Sequence, residues 1–240
     1  MAMSFLFSAL VTDTEVIYVL RNRQVRPAIE AGVWPSGARV IGVLGLLMVI
    51  AIGFVGPSQP LANAAVLLVW VGWWTGYTMS TYLLGNTWPW LNPWRTIADD
   101  LPTLDRSYPR GIGRWPAVAG LMGLVFLEVV TPVVDQPDLL STVVLGYSAI
   151  TLVGAVVFGP DDWFRYVDPI AGVFRYYGTL APVQWENGRP ILRPPTVTLT
   201  KQGLLGGLDD VAFVVTVLWV TTFDGLVSTP LGTNPIAWIV

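Results

Sequence analysis

Neither cysteine nor histidine occurs in this chain of 240 residues, and the two absences remove much chemistry at once. Without thiols there are no disulfides and no cysteine nucleophile. Without imidazole there is no histidine general base, no bis-histidine haem and no ordinary zinc or copper site. Charge is scarce as well. Asp, Glu, Lys and Arg make up 12% of the chain while 53% is hydrophobic, against roughly 25% charged in a soluble domain, so the solvent this composition implies is lipid. Lys201 is the single lysine beside 12 arginines. A net charge of −3 and a pI near 4.8 supply no basic patch, so no nucleic-acid partner is expected. Walker loops, dinucleotide fingerprints, serine elbows and carboxylate metal motifs are all missing, and no cofactor or metal is expected. Nor does the N-terminus read as a secretory signal, because Asp13 and Glu15 fall where its apolar core would be.

What is present is a series of long apolar runs. Residues 40–56, 61–84, 116–134, 139–158 and 208–223 each approach the length that spans a bilayer. Residues 4–20 form a further apolar stretch, broken by Asp13 and Glu15, that reads equally as a sixth span or as an interfacial helix. The expected fold is an all-α transmembrane bundle of five or six spans, forming one domain over residues 1–240. The loops fix its orientation, since Lys and Arg near span ends stay on the cytoplasmic side. With residues 21–39 inside, loops 85–115 and 160–207 are inside too, and all 13 basic residues fall on that side. The chain is therefore placed in the cell membrane with its arginine-rich loops cytoplasmic.

Two parts of the chain follow one plan. Arg39 and Arg114 each precede a span; Pro57 and Pro132 open the outer turns; Gly85 and Gly159 end the next spans; Asn92-Pro93 and Asp168-Pro169 follow. The offset is 74 to 76 residues throughout, which suggests a parallel repeat of 39–92 on 114–168.

The Asn/Asp-Pro pairs are helix starts, with the polar residue as N-cap and Pro at the first helical position. Both open short amphipathic helices expected on the inner surface. Asn187-Gly188, between Val183 and Arg193, predicts a small β-hairpin with a type I′ turn and Pro190 on an edge strand. Asn234-Pro235 reads as another helix start on the outer side, so a further span is expected from chain beyond Val240 or from a partner.

Six residues are candidates for a polar site within the membrane or at its rim. Glu128 lies inside a span, where an ionised carboxylate costs on the order of 2.5 to 3.5 kcal/mol; it reads as an ion or proton site, or as a carboxyl held by a neighbouring hydroxyl or indole. Asp224 ends the fifth span, as a cap or a site. Trp74 and Tyr77 share a face with Trp70 and Thr81, suited to an aromatic or cationic ligand and equally to helix packing. Asn92 and Arg95 belong to the loop GNTWPWLNPWRTIADDL, whose Trp88, Trp90 and Trp94 read as an aromatic belt at headgroup level. Arg95, Arg165 and Arg175 with Asp99, Asp100, Asp161 and Asp162 form a charged inner rim that suits a phosphate or lipid headgroup, or solvated ion pairs. Asp209 and Asp210 suit the start of the last span, where negative charge favours the helix dipole.

The runs GNTWPWLNPWRTI, GRWPAVAGLMGLVFLEVV, FRYYGTLAPV, GRPILRPP and TTFDG resemble, in order, a set of uncharacterised multi-pass membrane proteins of actinobacteria and haloarchaea, many of them labelled fenitrothion-hydrolase-like. The resemblance covers roughly residues 60–230 and marks Asn92, Arg95, Glu128 and Asp224 as motif positions. It implies hydrolysis of an organophosphorus ester. The residues themselves favour a transport-type or channel-like subunit for an ion or small solute, with a non-catalytic subunit of a membrane complex as the other reading. The partners expected are the lipid bilayer and a second protein or a second copy of this chain.

Overall fold

A computed structural model describes residues 34–104, 106–200 and 203–227, the side chains of Thr200 and of residues 224–227 excepted. The stretch 4–20 and the helix start at Asn234 lie outside the described residues. The structure is mostly helical. In chain order the helices are α1 (Trp34–Val55), α2 (residues 64–84), α3 (Trp88–Leu91), α4 (Pro93–Asp99), α5 (Trp115–Val130), α6 (Pro137–Phe158), α7 (residues 160–167) and α8 (Pro169–Gly178). A hairpin of β1 (Val183–Glu186) and β2 (Arg189–Leu192) follows, then α9 (Leu208–Val227). Among the described residues, α1 and α6 are long and apolar enough to cross a membrane. Helix α5 is shorter, because Thr131 leaves helical geometry and Pro132 opens a separate 3-10 turn.

Small residues let the helices approach. Gly53 of α1 sits on Ser141 of α6, whose Oγ donates to the Val49 carbonyl at 3.0 Å. Gly42 of α1 lies on the Leu91 backbone, and Gly154 of α6 lies on the Trp163 ring. Such contacts carry helix association where the surroundings are as apolar as the side chains. On the other side of the bundle α5, α8 and α9 share a core of Ala117, Leu121, Val173, Tyr176, Phe213 and Val217.

One succession of elements occurs twice. A long helix is followed by a 3-10 turn begun by Pro60 or Pro132 and then by a second long helix. That helix ends at a glycine of positive φ, Gly85 at 77° or Gly159 at 82°, a conformation that favours glycine. A short helix comes next, and then a capped one. Asn92 (φ −61°, ψ 109°) accepts from the Arg95 N–H, and Asp168 (φ −70°, ψ 115°) accepts from the Ala171 N–H.

The hairpin has the expected turn, with Asn187 at φ 52° and Gly188 at φ 73°, the two positive values of type I′. Pro190 pairs with Trp185 in a sheet of two strands, where both are edges.

Candidate functional site

Helix α2 sets the site. Between Leu67 and Tyr77 its turns are wide, of the i→i+5 kind, and the Thr75 hydroxyl donates to the carbonyl of Trp70, five residues back, at 2.8 Å. Gly72 and Gly76 add no side chain to the widened stretch. The less exposed positions then recur every fourth residue, at 65/66, 69/70, 73/74 and 77/78. Trp70, Trp73, Trp74 and Tyr77, at i, i+3, i+4 and i+7, lie together on this less exposed side. Wide turns of this type occur frequently at functional sites.

That side lines a cavity of about 580 Å³, walled by α1, α2, α5 and α6 and closed at one end by α3, α4 and α8. The size lies in the range of small-molecule sites, roughly 300 to 1,000 Å³. Its lining is almost wholly apolar: Gly45, Leu46 and Val49 face Leu121, Val125 and Val144, with Trp88, Trp94 and Tyr147 at the closed end. The indole N–H groups of Trp70, Trp73 and Trp88 are buried and find no acceptor among the described residues. An unmade hydrogen bond of this kind is costly, so this wall is not self-satisfied.

Glu128 of α5 lines the same cavity and is the one charged residue that does so among the described residues. It sits a turn before Thr131, at the end of the bundle remote from the arginines. Trp74 and Tyr77 therefore join Glu128 around one space, although 51 residues separate Tyr77 from Glu128 (128 − 77). Tyr77 is fixed by its hydroxyl, 3.0 Å from Thr87 Oγ1, and by edge contact with Phe174 at 4.8 Å.

The other candidates lie elsewhere. Asn92 is 1% exposed and caps α4, its Oδ1 accepting from the Arg95 amide at 3.0 Å. The Arg95 side chain points to the rim, where it pairs with Asp161 and lies over the Phe164 ring at 5.9 Å. Asp224 falls within α9, and its side chain lies outside the described residues.

Two of the loop tryptophans do not form a belt at headgroup level. Trp88 is 3% and Trp94 7% exposed; both are packed around Phe174 in the main core with Ala98, Ala155 and Trp163. The Trp94 indole donates to Ser148 Oγ at 2.7 Å. The reason is the tight cap at Asn92, which folds the loop back under the bundle. Trp90 stays at the periphery, edge-on to Trp185 at 4.7 Å.

A polar pair escaped sequence reasoning. Asp168, 1% exposed, caps α8 through Oδ1, which accepts from the Ala171 amide at 2.7 Å. Its Oδ2 accepts from the Tyr147 hydroxyl at 2.8 Å. Burial pushes the Asp168 carboxyl up to about 6, against the opposing pull of these hydrogen bonds. The Asp-Pro signal announced the cap, but nothing local announced the burial.

The rim is held by ion pairs: Arg39 with Asp99 at 3.4 Å, Arg110 with Asp162 at 2.9 Å and Arg114 with Asp210 at 2.7 Å. The first two are solvent-facing and worth about 0 to 1 kcal/mol each. Arg114 is different, its side chain 3% exposed. Its Nε donates to Asp210, its backbone N–H donates to Asp209, and Tyr176 donates to the same Asp210 oxygen at 2.7 Å. Burial, and then the Asp210 hydrogen bond, push the Tyr176 phenol up to about 12. This cluster docks α9 onto α5 and α8.

Among the described residues no group of three His, Cys, Asp or Glu is placed to hold a metal ion. In comparison with known proteins, no protein-family model, no curated protein and no solved structure matches this chain. The site is therefore read from its own geometry.

Proposed function

We propose that this chain is a multi-pass protein of the cell membrane that receives a small, largely apolar solute in the cavity between α1, α2, α5 and α6, as a transport-type subunit. The observation that carries the reading is the cavity itself, a partly open space among helices whose outward faces are apolar. Val40, Leu44 and Leu47 on α1, Val71 and Met79 on α2, Phe126 and Val129 on α5, Ile150 and Val153 on α6, and Val215 and Leu218 on α9 are all exposed. Water would penalise such a surface and lipid would not. In this reading α1, α2, α5, α6 and α9 are the five spans, α4, α7 and α8 lie against the cytoplasmic face, and the ion-paired rim faces the cytoplasm. The recurrent succession of elements is a parallel duplication of 39–92 on 114–168. An apolar lining suits a neutral or lipophilic solute and disfavours a small hydrated ion, whose dehydration it would not repay.

Two measurements test the reading. With no native cysteine, single substitutions report sidedness cleanly. Gln59→Cys and Asp135→Cys should react with an impermeant maleimide on intact cells, and Asp100→Cys only after permeabilisation. The reverse pattern, or equal labelling of all three, would sink the topology. In lipid nanodiscs, N-phenyl-1-naphthylamine should accept energy from the tryptophans saturably, at one site per chain above empty discs; a linear, non-saturating signal would remove the cavity as a binding site.

A further inference from the structure

The rim arginines fall into two groups. Arg39 and Arg95 are each matched by a carboxylate, Asp99 and Asp161. The others gather on two tyrosine rings. The guanidinium carbons of Arg110, Arg165 and Arg114 lie 4.9, 5.4 and 5.9 Å from the centre of the Tyr166 ring of α7, which Tyr108 backs at 5.4 Å with its plane nearly parallel. Arg114 also lies 5.8 Å from the Tyr176 ring of α8, and Arg175 lies 5.9 Å from that same ring. Four arginines from separate parts of the chain thus share one aromatic floor, with Arg114 common to both rings. Asp162 matches Arg110 and Asp210 matches Arg114, whereas Arg165 and Arg175 pair with no carboxylate among the described residues. Burial holds the Arg175 guanidinium below its ordinary range, and the nearby Arg114 and Arg165 charges add to that, against the pull of Asp210. Like charges are therefore crowded here at a place where the rings repay only part of the cost.

We propose that Arg165 and Arg175, backed by the buried Arg114, form a binding site for a phosphate group. Arg165 is exposed and Arg175 half-buried, so both can be reached from outside, while Arg114 supplies charge from beneath. An anion between them turns their mutual repulsion into attraction. Each guanidinium presents a planar fork of donors that matches two oxygens at once. Two forks call for more oxygens than a single carboxylate has, and a phosphate supplies them. In the proposed topology α7 and α8 lie against the cytoplasmic face, within reach of anionic headgroups in that leaflet. A lipid headgroup and a soluble phosphate offer the same chemistry to this site. The cavity between α1, α2, α5 and α6 has no part in it, so this site stands or falls independently of the solute reading.

The test uses the full chain in maltoside micelles, which carry no phosphate, with empty micelles subtracted. Radiolabelled inorganic phosphate is followed by equilibrium dialysis, and phosphatidic acid against phosphatidylcholine of the same chains by native mass spectrometry. At least one of the two phosphate probes should bind saturably to wild type, and about tenfold or more weakly to the double variant Arg165→Gln with Arg175→Gln. Arg39→Gln, which removes a matched rim arginine, should bind like wild type. Phosphatidylcholine, whose choline already balances its phosphate, should not distinguish wild type from the double variant. Phosphatidic acid bound without inorganic phosphate identifies the source as a lipid headgroup, and inorganic phosphate bound as tightly as the lipid identifies a soluble one. Saturable binding of neither probe, or an equal loss in Arg39→Gln and the double variant, would overturn the proposal. If the double variant does not fold, Arg165→Gln alone, at an exposed position, decides: a loss of about threefold or more supports the site and unchanged binding removes it.

Discussion

Tyr147 reaches out of α6 to place its hydroxyl 2.8 Å from Asp168 Oδ2, so the cap of α8 is tied to the wall of the cavity. Burial raises the Asp168 carboxyl from 3.8 to about 6 in the folded state. Between those values the folded chain holds a proton that the unfolded chain has released. The resulting stabilisation is complete below about pH 4, declines as the pH rises, and is gone above about pH 6. A shift of that size corresponds to roughly 3 kcal/mol. Asp168→Asn keeps an acceptor for the Ala171 N–H, sets an amide N–H against the Tyr147 hydroxyl, which then accepts instead of donating, and does not titrate. Thermal unfolding of the two proteins from pH 4 to 7.5 should show wild type losing stability relative to Asp168→Asn across this window. Parallel profiles would mean that the carboxyl is solvated.

Gly154 and Gly146 lie in the same helix and differ in what surrounds them. A methyl group on Gly154 would enter the Trp163 ring, whereas one on Gly146 meets nothing within 4 Å. Trp163 is buried in the main core and has no room to retreat. Gly154→Ala should therefore cost about 1 to 3 kcal/mol through overpacking. Gly146→Ala should be neutral, or stabilising by up to about 1 kcal/mol through helix propensity. Melting curves in one detergent separate them, and equal shifts would contradict the packing described.

Arg114 holds α9 by a charge removed from water, its side chain 3% exposed. Asp210→Asn would leave that guanidinium buried without its carboxylate, at a cost of about 3 to 5 kcal/mol. Removing both charges, as Arg114→Met with Asp210→Asn, should recover most of the loss, because the penalty lies in the unpaired charge. A double variant as unstable as the single one would show that the interaction is only packing.

The features legible in the sequence were those written in neighbouring residues. Asn92-Pro93, Asp168-Pro169 and Asn187-Gly188 specify caps and a turn within a few positions, and the structure has them where that chemistry puts them. The recurrence of Gly85 and Gly159 at positive φ was likewise visible as spacing. Helix content and the hairpin followed from the same local signals. What stayed hidden depends on distance along the chain. Trp94 meets Ser148 across 54 residues, and hydropathy sees only the charged stretch in which Trp94 stands, so it read as a surface residue. The wide turns of α2 have no local signature, whereas the shared face of Trp70, Trp74 and Tyr77 was legible as helical spacing. Glu128 was singled out because a carboxylate in an apolar run is anomalous by itself; that it shares a space with the α2 aromatics is a property of packing alone.

Filling the cavity should separate binding from folding. Gly45 lines the space, and a Cβ built there meets nothing within 4 Å, so Gly45→Leu inserts its side chain into empty volume instead of displacing a neighbour. Burying a leucine side chain contributes about 1.5 to 3 kcal/mol, and replacing glycine inside a helix adds up to about 1 kcal/mol. The variant should therefore melt at a temperature at least equal to that of wild type. It should also lose saturable binding of N-phenyl-1-naphthylamine, because the leucine occupies the space between Val49 and Val125. The two readouts move in opposite directions only if the probe site is this cavity. Unchanged probe binding in a folded Gly45→Leu protein would place the probe elsewhere, and a large fall in melting temperature would mean that the space is not open in the folded chain.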